Sequence, residues 1–311
     1  MTAKLGPVAV TGVTGLVGMA LTRSLGESGV EVRGYSREPA SARRVVSGLA
    51  SAIAWGRTDQ ALDAQPLVGA HAVVHLAGEN VGKAPWTAAR KRAIEESRVL
   101  GTRRLVGAIE TVPAAVRPRV LVSASAIGFY GDTAQREADE ESPKGEGFLA
   151  DVCERWEGEA RAAERLGVRV VIVRLGLVLG RGGGALAKMA PLYRLGLGGR
   201  MGPGTQWWPW IHLADVVGLL RFAMEDERVR GVLGATAPGV VQQRDFSRIL
   251  ARVLRRPAFL PAPSFALRAA LGDFADELLG SRRVVPRRAL ALGYPFRFPE
   301  LEPALRDLSG T

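Results

Sequence analysis

The sequence predicts an α/β fold, a doubly wound parallel sheet followed by a smaller C-terminal substrate lobe. Short apolar, β-branched runs alternate with longer amphipathic stretches through residues 1–175, the pattern of strands joined by crossover helices. The runs are nearly continuous in apolar character, as expected for strands covered on both faces. A glycine-rich turn, Gly12-Val13-Thr14-Gly15-Leu16-Val17-Gly18, follows the first run and opens the first amphipathic stretch.

Residues 7–11 (PVAVT) read as the first strand, 16–28 as the first helix and 30–35 as the second strand. Residues 72–76 (AVVHL) form the next clear strand. Thr87 is a residue type that caps helices, and it precedes a helix expected to reach Ile109. Strands at 119–123 and 168–174 flank a helix within 145–166. Beyond Leu175 glycine becomes dense, at 180–184 and 196–204, and residues 176–311 are expected to build the lobe, with some segments returning to complete the sheet. Residues 257–263 read as a connector before a single apolar helix at 265–279.

With 311 residues, 47% hydrophobic and 23% charged, the chain can bury a large core. One cysteine, Cys153, excludes a disulfide scaffold, and three scattered histidines (His71, His75, His212) give no metal-ligand spacing. A lone thiol fits a reducing cytoplasm. The N-terminus lacks the cationic lead and apolar run of a signal peptide. No segment reaches the roughly 20 apolar residues of a membrane helix, so no membrane partner is expected. The balance of 42 basic to 31 acidic residues, +11, raises the question of nucleic acid. The arginines are scattered in short groups such as Arg43-Arg44 and Arg287-Arg288, without a long basic tract interleaved with aromatics. Nucleic acid is therefore not the expected partner.

The glycine turn has the strand–turn–helix setting of a Rossmann-type dinucleotide site. Gly12 permits the tight turn, Gly15 lets the backbone approach a pyrophosphate, and Gly18 lets helix and strand pack closely. Thr14, Leu16 and Val17 complete the turn, whose helix N-terminus carries partial positive charge toward the phosphates. An NAD site usually ends its second strand on an acid for the ribose hydroxyls. Here that stretch is Arg33-Gly34-Tyr35-Ser36-Arg37, with Glu31 only at its start. Ser36 and Arg37 suit a 2′-phosphate, with Arg43 and Arg44 nearby, so the expected cofactor is NADP(H).

The TGxxGxxG turn, His75-Leu76-Ala77-Gly78, Ser123-Ala124-Ser125 and Arg174-Leu175-Gly176 with Gly180 resemble the extended short-chain dehydrogenase/reductase superfamily. More narrowly, AGENVGKAPWTAARKRAIEESR, SASAIGFYGD, FLADVCERWE and RLGLGGRMGPGTQWWPWIHLADV resemble its atypical NAD-dependent epimerase/dehydratase members. RPAFLPAPSFALRAALG is similar to the start of a C-terminal domain of unknown function, the DUF1731 type, at about 255–303. The resemblance implies an oxidoreductase or epimerase acting on a small polar or sugar-like molecule, and a homodimer paired through two helices of the sheet domain. It assigns Gly12, Gly15, Gly18, Ser36 and Arg37 to the cofactor. Leu76, Ala77 and Gly78 would line its adenosine and ribose side, and Arg98 would lie beneath it on the long helix.

The sequence departs from the superfamily at its chemistry. Those enzymes use a Tyr-x-x-x-Lys pair on the helix before the sixth strand, where the lysine lowers the tyrosine pKa. The corresponding positions fall at or near Phe148 and Val152, and residues 148–159 contain neither Tyr nor Lys. Tyr130 is the candidate replacement proton donor and Ser125 the candidate partner of a substrate oxygen, with Ser123 as the alternative. Asp151, Glu154 and Cys153 on that helix read as surface carboxylates and a packing thiol. In the lobe, Arg194 and Arg200 suit a substrate phosphate or carboxylate, and two of Trp207, Trp208 and Trp210 suit stacking on a ring. His212 reads first as a structural hydrogen-bonder that positions its turn and second as a substrate candidate, and Asp215 is expected to cap the helix that follows. Loss of the Tyr-Lys pair leaves a second reading open: a catalytically degenerate NADPH-binding sensor or regulator.

Overall fold

Alternate residues of a strand face opposite sides of its sheet, and here both sides are apolar. The computed structural model describes residues 5–57 and 59–310. Its central sheet has seven parallel strands: β1 (Val8–Thr11), β2 (Val32–Ser36), β3 (Leu49–Ala54), β4 (Ala72–His75), β5 (Val120–Ala126), β6 (Arg169–Leu175) and β7 (Gly231–Ala235). Their spatial order is β7-β6-β5-β4-β1-β2-β3. The chain leaves β1 toward β3, then crosses back to lay β4 on the other side of β1. The crevice at the carboxyl ends of β1 and β4 is the place where such sheets bind ligands.

Two helical layers cover the sheet. Val8, Val10, Val122 and Val173 share one core with Leu21 and Leu25 of α1 (Leu16–Glu27). Pro39–Val45 is α2. Ala9, Val73, Leu121 and Ile172 point the other way, to Leu105 and Ile109 of α3 (Ala88–Thr111) and Ala160 of α4 (Phe148–Arg161). Thr87 caps α3 as expected, its side chain accepting the Arg90 N–H at 3.1 Å.

The lobe has its own core. It joins α5 (Gly184–Arg194), α7 (Gln243–Leu254) and α11 (Leu301–Ser309) around Trp208, Trp210, Phe246 and Leu305. Between α5 and α7 the chain returns to the sheet: α6 (Leu213–Glu225) covers the α1 face and β7 forms the edge strand. The single apolar helix expected at 265–279 is two, α8 (Ser264–Leu271) and α9 (Phe274–Leu279). They part at Gly272, whose φ of +57° suits glycine and stops α8. A short helix α10 (Arg287–Ala291) precedes α11.

Candidate cofactor and substrate site

The turn after β1 is built from backbone. Gly12 has φ +69°, and a Cβ there would lie 2.8 Å from the Leu76 carbonyl. A Cβ on Gly18 would strike the Gly12 carbonyl oxygen. Gly15 stands at the N-cap of α1 without a side-chain cap, and no acid occupies the first helical turn. The N–H groups and positive end of α1 therefore remain available to an anion.

Three side chains missed by sequence reasoning anchor this turn. Thr11 Oγ1 accepts the N–H groups of Leu76 and Ala77, each at 3.1 Å. It lies 2.7 Å from His75 Nδ1, and His75 Nε2 lies 2.9 Å from Thr102 Oγ1. With both amides directed at its lone pairs, the Thr11 hydroxyl donates to Nδ1, and His75 carries its proton on Nε2. Burial, aided by the Arg98 charge, pushes the His75 pKa down to about 3, so the ring is neutral. The only sequence signals are a threonine just before the turn and a histidine ending the fourth strand.

Ser36 is buried at the end of β2, its Oγ accepting the Glu38 N–H at 3.1 Å, and Arg37 beside it is exposed. Across the crevice, the bond from Arg90 holds Glu79 below the usual carboxylate range, with smaller contributions from Arg37 and Lys83. Arg98 lies under the loop after β4. Its Nη1 donates to the carbonyls of Glu79 (3.1 Å) and Ile94 (3.0 Å), and its guanidinium sits 5.2 Å over the Trp156 ring. Its visible work is to hold Gly78 and Glu79 in place. No acid stands at the end of β2, so the donor set fits a 2′-phosphorylated dinucleotide: helix N–H groups for the pyrophosphate, Ser36 and Arg37 for the 2′-phosphate.

Ser125 and Tyr130 meet in a buried ion-pair cluster. Register places Ser125 beside Arg174 on the neighbouring strand. Ser125 Oγ donates to Glu157 Oε1 at 2.7 Å, and Arg174 grips both oxygens of that carboxylate at 2.8 and 2.9 Å. Arg174 Nη1 donates to Tyr130 Oη at 3.1 Å, and its guanidinium lies 3.4 Å above the Phe129 ring. Burial pushes the Tyr130 phenol up to about 12, against the pull of Arg174. Burial also opposes the Arg174 charge, but its bonds to Glu157 and Tyr130 outweigh that and raise its pKa. Glu157 was not foreseen; nothing local in the sequence marks it.

The face of α4 toward this cluster carries Leu149, Cys153 and Glu157, four residues apart. Leu149 packs on Gly128, and Cys153 Sγ lies 3.7 Å from the Ala126 carbonyl oxygen. The four-residue-spaced pair that α4 turns toward this cluster is Leu149 and Cys153, neither of them a Tyr or a Lys; Phe148 packs edge-on against Trp86. Burial pushes the Cys153 thiol up to about 11, so it is uncharged. Asp151 and Glu154 sit at the surface, sharing Lys144.

Lobe and sheet meet where Lys188 donates to the Gly82 carbonyl and Trp86 packs against Phe148 and Phe274. Trp207 is half-buried, with Nε1 donating to Gln135 at 2.9 Å and Arg283 over its ring. Trp208 and Trp210 belong to the lobe core, which leaves Trp207 alone to stack on a ligand. Arg194 is exposed at the end of α5. His212 takes the cap expected of Asp215. His212 Nδ1 accepts the Ala214 N–H at 3.0 Å and so caps α6, while its buried ring lies 4.0 Å from that of Phe298. That placement is the structural one, at the turn, and not the substrate contact. Asp215 instead accepts the N–H groups of Arg297 (2.7 Å) and Phe298 (2.9 Å), tying the last segment to α6. Among the described residues no cluster of acids, histidines or cysteine suits a metal, and no helix is long and apolar enough to cross a membrane.

The fold and the glycine turn define a dinucleotide-binding α/β protein of the extended short-chain dehydrogenase type. The chain belongs to the NAD-dependent epimerase/dehydratase family, whose model matches residues 8–232, and residues 262–308 match the domain of unknown function DUF1731. It is similar to the human epimerase family protein SDR39U1, crystallised with NADPH: TM-score 0.87 and 37% identity, covering 98% of this chain and 99% of that one. The chloroplastic SDR39U1 homologue of Arabidopsis thaliana is 38% identical over 97% of this chain and 86% of its own length. An epimerase family protein of Mycobacterium bovis is 37% identical over 96% of each.

Proposed function

We propose that the chain binds NADP(H) and acts in the cytoplasm as an oxidoreductase or epimerase on a small polar or sugar-like substrate. The observation that carries this reading is the open N-terminus of α1 at Gly15 together with Ser36 and Arg37, and no acid, at the end of β2. The NADPH bound to the human relative supports it.

The N–H groups at the start of α1 hold the pyrophosphate, Arg37 and Ser36 the 2′-phosphate, and Leu76, Ala77 and Gly78 the adenosine and ribose side. The bound nicotinamide supplies hydride transfer. Tyr130, only 1% exposed, accepts a hydrogen bond from Arg174; its own proton has no acceptor among the described residues, and this reading gives it to a substrate oxygen that displaces the packing over the ring. Arg174 then steadies the phenolate, the part a lysine plays in Tyr-x-x-x-Lys enzymes. With its proton given to Glu157, Ser125 offers its oxygen as an acceptor to a substrate hydroxyl, and Glu157 fixes both Ser125 and Arg174. Trp207 offers a ring face.

The test is a titration with NADPH and NADH followed by a panel of aldehydes, ketones and nucleotide sugars. Tyr130→Phe is expected to abolish turnover while NADPH binding persists; unchanged turnover removes Tyr130 from the chemistry. A second reading, a non-catalytic NADPH sensor, is favoured by the face that α4 turns toward the cluster, which carries Leu149 and Cys153 and neither a Tyr nor a Lys. Tight NADPH binding with no oxidation by any of the panel selects it.

A further inference from the structure

On the outer side of the lobe, α7 carries Arg244, Arg248 and Arg252 at four-residue spacing, and Arg256 follows just past its end. That spacing aligns the three on one helix face over about 12 Å. Arg200 joins them from the loop after α5, and with Phe259 these five arginines line an open groove of about 550 Å³. The opposite face of α7 is locked into the lobe core by Phe246 and Leu250, so the ladder is presented on a rigid support.

The groove holds more positive charge than the protein itself neutralises. Arg248 pairs with Asp245 at 3.1 Å, and Arg252 with Glu302 at 3.0 Å, a carboxylate already shared with Arg306. Arg256 donates to the Arg194 carbonyl at 3.0 Å. Among the described residues neither Arg200 nor Arg244 meets a carboxylate. Beside the arginines stands an apolar knob: Phe259 is 73% exposed, Leu195 72% and Leu197 53%. Their two loops are tied by the Leu260 N–H on the Gly198 carbonyl at 3.3 Å.

We propose that this groove docks an acidic segment of a partner protein in which leucine or phenylalanine is interleaved with Asp and Glu. Guanidinium forks match carboxylates two bonds at a time, and arginine with aromatic residues, without lysine, is the composition of protein interface cores. The exposed Phe and Leu side chains call for apolar groups on the partner, which such a segment supplies. A flat anionic membrane would leave the concavity unfilled. A second copy of this chain, at +11, brings the wrong charge. The groove shares no residue with the cofactor cradle, and Arg200, which by type suited a substrate anion, stands in the groove instead, so the proposal is separate from the reading above.

The experiment is fluorescence anisotropy of the full-length protein with a labelled synthetic peptide of Glu and Asp interleaved with Leu and Phe. Saturable binding that weakens with salt is expected. Arg244→Glu combined with Arg248→Glu should weaken it roughly tenfold or more, and Phe259→Ser about threefold at constant salt. All of these positions are exposed, and unchanged NADPH titrations will show that the variants are folded. No binding, or binding that neither variant alters, overturns the proposal. Tighter binding to phosphatidylserine vesicles or to oligouridine, lost in the same double variant, also overturns it and assigns the groove to lipid or RNA.

Discussion

The turn after β1 and the cluster at the ends of β5 and β6 lie on the same edge of the sheet but are held by different means. The turn is a matter of backbone: glycines that allow close approach, and a neutral Thr11–His75–Thr102 chain that joins β1 to β4. The cluster is a matter of charge: Glu157 and Arg174, each under 5% exposed, paired through two bonds and joined by Ser125 and Tyr130. The first leaves donors open for a ligand. The second satisfies most of its own polar groups and leaves little beyond the tyrosine proton. Damage to the cluster should therefore appear first as lost stability, and damage to the turn's phosphate side as lost affinity.

The sharpest break in that contrast is Glu157→Ala. It strands the Arg174 guanidinium in a buried site, which should cost about 3–5 kcal/mol in urea unfolding. A loss under about 1 kcal/mol would show that water reaches Arg174 and that the cluster is an open site. Next comes the pH dependence set by His75. Its native pKa of about 3 lies below the ordinary value of 6.5, so below pH 6.5 the unfolded chain takes up a proton that the native ring refuses. Its contribution to stability is complete above pH 6.5 and falls as pH drops toward 3, by up to about 1.4 kcal/mol per pH unit. Urea midpoints across this range should show the decline, and His75→Gln should flatten it. The smallest expected change in stability is from Arg37→Ala, within about 0.5 kcal/mol because the side chain is exposed. The same variant should weaken NADPH about tenfold and leave NADH unchanged in paired titrations. Equal weakening of both would remove Arg37 from the 2′-phosphate.

What the amino-acid sequence determined by itself is whatever depends on neighbours in the chain. The apolar runs at 72–76 and 168–174 became β4 and β6 within a residue or two, because period and composition act locally. Gly12, Gly15 and Gly18 announced their turn, since a backbone that must pass within van der Waals range of another excludes a Cβ wherever it occurs. Thr87 announced its helix for the same local reason. The absence of Tyr and Lys from residues 148–159 was also plain. Which residues α4 turns toward the cluster, Leu149 and Cys153, was a matter of register, and a one-residue slip turns a helix by about 100°.

Only the tertiary structure decided the pairings between distant segments. Glu157 finds Arg174, and Thr11 finds His75 and Thr102, because strands and helices far apart in sequence are packed side by side. Asp215 suits a helix N-terminus by type, whereas histidine is not a usual cap. The histidine caps α6 because the helix starts at Leu213, which puts Asp215 inside its first turn, where the N–H groups of residues 297 and 298 bind the carboxylate. The arginine ladder of α7 is visible as a spacing, but its groove exists only because Arg200 and Phe259 close it from other parts of the chain. Hydrogen bonds and ion pairs depend on distances of a few ångströms, and those distances are set by the packed core.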